Sequence, residues 1–191
     1  MQDNWLIKLD LRLGDIPTAF TLLTRLPLPV DHAKTGERAA KAAWAYPLVG
    51  AVAGLFAGVI AFTLSSVGVL SDIAAAIAIG ALMLFTGALH EDGLSDCADG
   101  LGGGKTVKHR LEIMKDSRIG AFGAAALCAA ILARWSGYNA LITVDWVWAF
   151  IAVGVASRLP MVLVMYVMPL ARPNGMAAAV GQVTTLSAIV A

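Results

Sequence analysis

The sequence predicts an all-α fold: a polytopic transmembrane helical bundle with an interfacial amphipathic helix at its N-terminus and an acidic, glycine-rich active-site loop on the cytoplasmic side. Three observations carry this. Of 191 residues, 59% are hydrophobic and only 14% charged, whereas soluble domains carry about 25% charged residues. The mean hydropathy is +0.76. The apolar residues gather into runs that cross ~30 Å of hydrocarbon, separated by short polar stretches. A net charge of +1 says nothing about nucleic acid, no basic stripe suggests it, and no nucleic-acid partner is expected. Two cysteines make no disulfide framework. Cys128, inside an apolar run, reads as a small buried hydrophobe, and Cys97, among carboxylates, as a spacer. Asp3, Lys8, Asp10, Arg12 and Asp15 interrupt the N-terminus, which does not read as a cleavable signal.

The chain reads as a single integral membrane domain over 1–191, beginning with an interfacial segment, 1–45. Within it, residues 4–26 mix apolar and charged positions, as expected of a segment lying in the membrane interface and continued by a short helix after Pro17. Pro27 and Pro29 stop that helix, and 31–43 form a basic connector. The first span is expected at 46–70, which has no charge and places Gly50, Gly54 and Gly58 on one face for close helix packing. Ser71 and Asp72 are expected to make a tight turn. A second span over 73–90 runs into an acidic cluster. A third covers 119–134, a polar-aromatic loop follows over 135–145, and a fourth covers 146–170. A further apolar run begins at 176 and stops at 191 short of a crossing length, which gives the chain the look of a C-terminal truncation.

Lysine and arginine counts orient the bundle. Residues 1–45 hold Lys8, Arg12, Arg25, Lys34, Arg38 and Lys41; residues 91–118 hold Lys105, Lys108, Arg110, Lys115 and Arg118. The turn at 71–72 has none, and the 134–145 loop has only Arg134. Two spans separate the basic regions, so both fall on the cytoplasmic side.

Between His90 and Gly120, six carboxylates and five basic residues crowd into HEDGLSDCADGLGGGKTVKHRLEIMKDSRIG. Asp92, Asp96 and Asp99 stand at i, i+4 and i+7, one face of a helix within two turns. Glu91 and Ser95 adjoin it. Carboxylates so close repel one another unless a cation joins them. Oxygen donors without a Cys/His pairing favour Mg²⁺, Mn²⁺ or Ca²⁺ over zinc, and Mg²⁺ usually brings a phosphate. Gly100-Leu101-Gly102-Gly103-Gly104 is expected to be a loop whose N–H groups approach phosphate oxygens, with Gly102 and Gly103 as contacts. It lacks the Lys-Ser/Thr ending of a P-loop, which argues against a nucleoside triphosphatase.

A short helix over 105–115 leads to Lys115-Asp116-Ser117-Arg118. Asp116 can complete a metal shell, and Lys115 and Arg118 can hold diphosphate oxygens. Arg158, inside the fourth apolar run, needs an anionic partner; an aspartate pairing two spans and a substrate phosphate stand near even. Arg172 can reach an anionic substrate or merely set topology. His90 reads as an interfacial hydrogen-bonding group ahead of a general base, and His32 and His109 as exposed.

The strings GALHEDGLSDCADGLGGG and RLEIMKDSRIGAFGA closely resemble the cobalamin synthase family, the adenosylcobinamide-GDP ribazoletransferases. FTLLTRLPLP (20–29), YPLVGAVAG (46–54), SRLPMV (157–162) and ARPNGMA (171–177) extend the resemblance over nearly the whole chain. The family pattern has His-Leu/Met-Asp-Gly-Leu where this chain has His-Glu-Asp-Gly-Leu. Asp92 is retained, and Glu91, at the variable position, ranks below the aspartates as a ligand. The resemblance implies joining of α-ribazole or its 5′-phosphate to adenosylcobinamide-GDP with release of GMP, at the bacterial cytoplasmic membrane. It implies Mg²⁺ on Asp92, Asp96, Asp99 and Asp116, with Lys115, Arg118 and Arg158 offsetting leaving-group charge. Partners are the two substrates and the lipid bilayer, with self-association left open. Two alternatives remain. One is a CDP-alcohol phosphatidyltransferase-like enzyme, whose Asp-Gly-x-x-Ala-Arg pattern fits poorly. The other is a divalent-cation transporter, disfavoured because the acids are expected at a span's end rather than at mid-bilayer.

Overall fold

A computed structural model describes residues 10–29, 36, 38–144 and 147–191. Among these residues the regular structure is helical, without strands. The helices are α1 (Asp15–Leu23), a 3₁₀ turn (Lys41–Ala45), α2 (Tyr46–Ser66), α3 (Ser71–Thr86), α4 (Leu89–Gly103), α5 (Val107–Ile113), α6 (Ala121–Thr143), α7 (Val147–Ala156), α8 (Leu159–Val167), α9 (Met176–Val180) and α10 (Thr185–Val190). Lys41–Ser66, Ala121–Thr143 and Trp148–Val167 are each long and apolar enough to cross a membrane; α3 and α4, bent by 90°, make a fourth crossing if they form one broken span. The chain divides into two compact units, 1–55 with 148–191, and 56–147.

In the first unit, α1 buries Ala19 and Leu23 and packs on the 3₁₀ turn, whose Ala42, Ala43 and Ala45 are fully buried. The buried carboxylate of Asp15 ties the two together. It accepts from Arg38 Nε (2.7 Å) and Nη2 (3.0 Å), Trp44 Nε1 (3.1 Å) and the Arg12 amide (3.0 Å). Burial alone would push this carboxyl up, but the Arg38 hydrogen bonds and charge, with Arg12 and Trp44, hold it below its ordinary value. Asp10 extends the cluster to Lys41 (2.6 Å). The glycine face expected on the first span is used here: a Cβ on Gly50 would overlap the Gly154 carbonyl, and one on Gly54 the Phe150 carbonyl. Small residues thus let the first turns of α2 approach α7 backbone to backbone. At the far end of the unit, the Ser187 hydroxyl donates to the Lys41 carbonyl (2.8 Å), seating α10 on the 3₁₀ turn.

In the second unit, α3 ends at Gly87 (φ 69°), whose left-handed backbone lets the Ala88 N–H reach the Met83 carbonyl (2.8 Å). Ala88 is also left-handed (φ 57°), and the two residues turn the chain through a right angle into α4. The Phe56 and Phe85 rings stack at 5.0 Å. Trp135 Nε1 donates to the Asp72 carbonyl (2.8 Å), fastening α6 to the start of α3. Helix α4 then runs antiparallel to α6. Its Glu91 pairs with Arg134 and its Asp99 meets Gly120 and Gly123.

Several boundaries differ from the sequence expectation. Residues 100–103 continue helix α4 rather than forming a glycine loop; the extended segment is confined to Gly104 and its neighbours. The glycines serve packing instead: Gly100 lies under Met114, Gly102 against the Phe122 ring and Gly104 under Arg110. The second span does not run straight past His90, because of the break at 87–88. Ser71 and Asp72 open α3 rather than making a turn, and the first span ends at Ser66. The 135–143 stretch is helix, so Arg134 lies within α6 and not in a loop. Cys128 is exposed on α6 rather than buried. The fourth apolar run breaks at Ser157–Arg158, and the last divides into α9 and α10. Residues 1–9 of the interfacial segment and residues 31–35 and 37 of the connector lie outside the described residues.

Candidate active site

The aspartates at i, i+4 and i+7 are on a helix, as their spacing predicts. Asp92 is exposed in the first turn of α4; Asp96 and Asp99 are half-buried. Asp99 is gripped from across the unit. Gly120 N–H donates to its Oδ2 and Gly123 N–H to its Oδ1, both at 2.8 Å. These two amides belong to the first turn of α6, where backbone N–H groups lack helical partners, and an anionic acceptor also suits the helix dipole. A Cβ on Gly123 would overlap both the Asp99 carboxylate and the Ser95 hydroxyl, so the contact needs glycine there.

Beside Asp99 the surface opens into a depression of ≈ 550 Å³ whose lining includes Gly103, Ile113, Asp116, Arg118 and Phe122. Four of the expected site residues therefore meet here: Asp99, Gly103, Asp116 and Arg118. Arg118 folds back on Asp116, donating from Nη2 to Oδ2 (2.6 Å) and from its amide and Nε to Oδ1 (both 3.1 Å). The Arg118 hydrogen bonds hold the Asp116 carboxyl down at about 2. Lys115 is exposed on the same connection but does not line the depression, and exposed Gly102 lies against the Phe122 ring outside that lining.

Glu91, expected as a weaker ligand, instead forms an ion pair with Arg134 and is only 8% exposed. Arg134 stands thirteen residues into α6, about 20 Å along it at 1.5 Å per residue. The acidic helix therefore lies beside the crossing helix and does not project beyond its end. Glu91 thus lies well along α6 and is neutralised there by Arg134, whereas Asp99 stands at the first turn of that helix. In the first unit, Arg158 is buried where α8 begins and donates to the Ser157 hydroxyl (2.7 Å). Half-buried Arg172 packs its guanidinium against Gly175, which has φ 109°.

Among the described residues, no group of three or more His, Cys, Asp or Glu stands close enough together to hold a metal ion. Asp99, Asp116 and Glu91 each have nitrogen donors instead. The sequence reasoning missed these donors. Gly120 and Gly123, a small-residue pair three apart at the start of an apolar run, were the available signal; nothing local marked Arg134 as Glu91's partner.

Helices of membrane-crossing length, together with a charged helix and connection flanked by them, define a polytopic helical membrane protein. The family described as cobalamin-5-phosphate synthase matches residues 15–191. The chain belongs to this family, whose members are enzymes of cobalamin synthesis. It is 42% identical over 178 residues to the adenosylcobinamide-GDP ribazoletransferase of Mesorhizobium japonicum, covering 93% of this chain and 68% of that protein. The Bradyrhizobium diazoefficiens protein of the same name is 40% identical over 172 residues (88% and 65%). The Brucella ovis protein, also so named, is 42% identical over 193 residues (95% and 70%). The chain thus spans about two thirds of the length of these relatives. No solved structure matches it.

Proposed function

We propose that this chain carries the catalytic part of an adenosylcobinamide-GDP ribazoletransferase acting at the cytoplasmic face of the bacterial inner membrane. The reaction joins adenosylcobinamide-GDP to α-ribazole or its 5′-phosphate. A ribose hydroxyl oxygen bonds to the phosphorus that bears cobinamide, the bond from that phosphorus to the GMP oxygen breaks, and the hydroxyl proton leaves to a carboxylate or water. The observation that carries the reading, beside family membership, is the depression where Asp99, Asp116 and Arg118 meet. Phosphoryl transfer asks chiefly for positioning and charge neutralisation. Arg118 offers a planar fork for diphosphate oxygens, and exposed Lys115 a second cation nearby. On leaving Asp116 for the substrate, Arg118 would uncover that carboxylate.

The donors fit Mg²⁺. They are hard carboxylate oxygens, and Mg²⁺ is commonly held by one or two carboxylates together with substrate phosphates rather than by an all-protein cage. Asp92 and Asp96, one turn apart on α4, would hold it together with the substrate's phosphates. It would supply charge neutralisation on the bridging phosphates. Arg158 and Arg172 remain candidates for the substrate's anionic groups.

The test is purified protein in detergent with adenosylcobinamide-GDP, α-ribazole and Mg²⁺. GMP release that depends on both substrates and is lost in Asp96→Asn and Asp116→Asn supports the reading. Absence of GMP release, with divalent-cation flux in liposomes, overturns it.

A further inference from the structure

Asp99 stands on the acidic face, yet its contacts differ from those of a ligand awaiting a cation. Each carboxylate oxygen accepts an N–H from the first turn of α6 at 2.8 Å. The contact depends on the absence of side chains: glycine occupies both donor positions, and a methyl group at either would strike the carboxylate. The segment it pins is short. Gly120 is two residues beyond Arg118, which with Asp116 borders the depression.

We infer that Asp99 is a positioning residue: its carboxylate caps α6 from the neighbouring helix and so fixes where Arg118 and Asp116 meet the substrate's diphosphate. This rests on the proposed transferase reaction for its kinetic arm only. An amide in place of the carboxylate keeps one acceptor and turns an NH₂ toward the other N–H, leaving that amide hydrogen unsatisfied. The first turn of α6 then frays, and the Asp116–Arg118 segment loses its fixed footing. Asp96 and Asp92, on the same face, keep their own places on α4.

The experiment uses the full chain in detergent. Hydrogen exchange of peptides covering 116–124 reads the cap without any substrate. Asp99→Asn is expected to speed exchange there by about tenfold or more, the equivalent of one charge-assisted hydrogen bond. Exchange over the Arg134 region should stay unchanged. In the GMP-release assay, Asp99→Asn should raise KM for adenosylcobinamide-GDP about tenfold, with the Mg²⁺ concentration for half-maximal rate unchanged. Gly123→Ala, which crowds the same carboxylate, should reproduce both effects, and the double variant should cost little more than either alone. Should Asp99→Asn fail to fold, Gly123→Ala carries the test alone. Unaltered exchange over 116–124 would overturn the cap whatever the reaction. A steep rise in the Mg²⁺ requirement without faster exchange would make Asp99 a metal ligand instead. Faster exchange with unchanged KM would reduce it to a structural cap.

Discussion

Replacing Arg134 by Met separates the two roles open to Glu91. The Glu91 residue is 8% exposed, and its carboxylate accepts from Arg134 Nη1. Removing the cation leaves a carboxylate in a site with little water. Breaking a fully buried pair from one side costs ~3–5 kcal/mol. Here the Arg134 side chain keeps 32% of its exposure, so the pair is only partly enclosed by protein, and a cost of ~2 kcal/mol is expected, about thirtyfold in the folded-to-unfolded ratio. The double variant Glu91→Gln/Arg134→Met removes both charges, and most of that loss should return, to within ~1 kcal/mol of the parent. Titrating the protein out of mixed micelles with SDS, followed by tryptophan fluorescence, measures each difference; Trp135 is the neighbour of Arg134. The double variant should also keep the Mg²⁺ dependence of GMP release. An Arg134→Met protein as stable as the parent, or a double variant weaker than both singles, would refute the reasoning.

Three further outcomes follow from the geometry. Arg38→Met deletes two of the four hydrogen bonds to fully buried Asp15 and should destabilise by ~3–5 kcal/mol, more than Arg134→Met, in the same titration. Because the Asp15 carboxyl is held low in the folded state, its contribution is present above the ordinary carboxylate range and fades as pH falls through the folded value; unfolding should show no step from this group between pH ~5 and 8 and a loss below pH ~4 that Arg38→Met diminishes. Gly154→Leu sets a side chain against the Gly50 carbonyl and should cost ~1–3 kcal/mol or more, whereas Gly80→Ala, with open space around it, should be neutral or slightly stabilising in the same measurement. Asp116, held at about 2 by Arg118, stays charged at any working pH. The pH profile of kcat/KM for GMP release, which reports the free protein, should therefore show no acid limb from it above pH ~4, and Asp116→Ala should lower kcat/KM without changing that profile's shape.

Hydropathy made the helical class legible, and the uncharged stretch with glycines every four residues announced a close-packed face that Gly50 and Gly54 use. The aspartate spacing likewise gave a helix that the structure contains. What local pattern could not give was partnership. Asp15 finds Arg38 twenty-three residues away, and Glu91 finds Arg134 forty-three away; such pairs depend on how helices lie together. The glycines after Asp99 misled for a related reason. Glycine signals a loop when only backbone freedom is considered, but at 100 and 102 it makes room for Met114 and Phe122. The corner at 87–88 was hidden because Ala88, not glycine, holds one of its two left-handed positions.

Glu91 and Asp99 stand eight residues apart on one helix, about 12 Å, and both are fastened to α6. A rod clamped at two places can neither slide nor spin about its own axis. Asp92 and Asp96 lie between the clamps, so their bearing is dictated by α6. Any thermal tilt of that crossing helix will carry them along with it, and the spacing of these two carboxylates will be preserved while the surrounding bilayer moves.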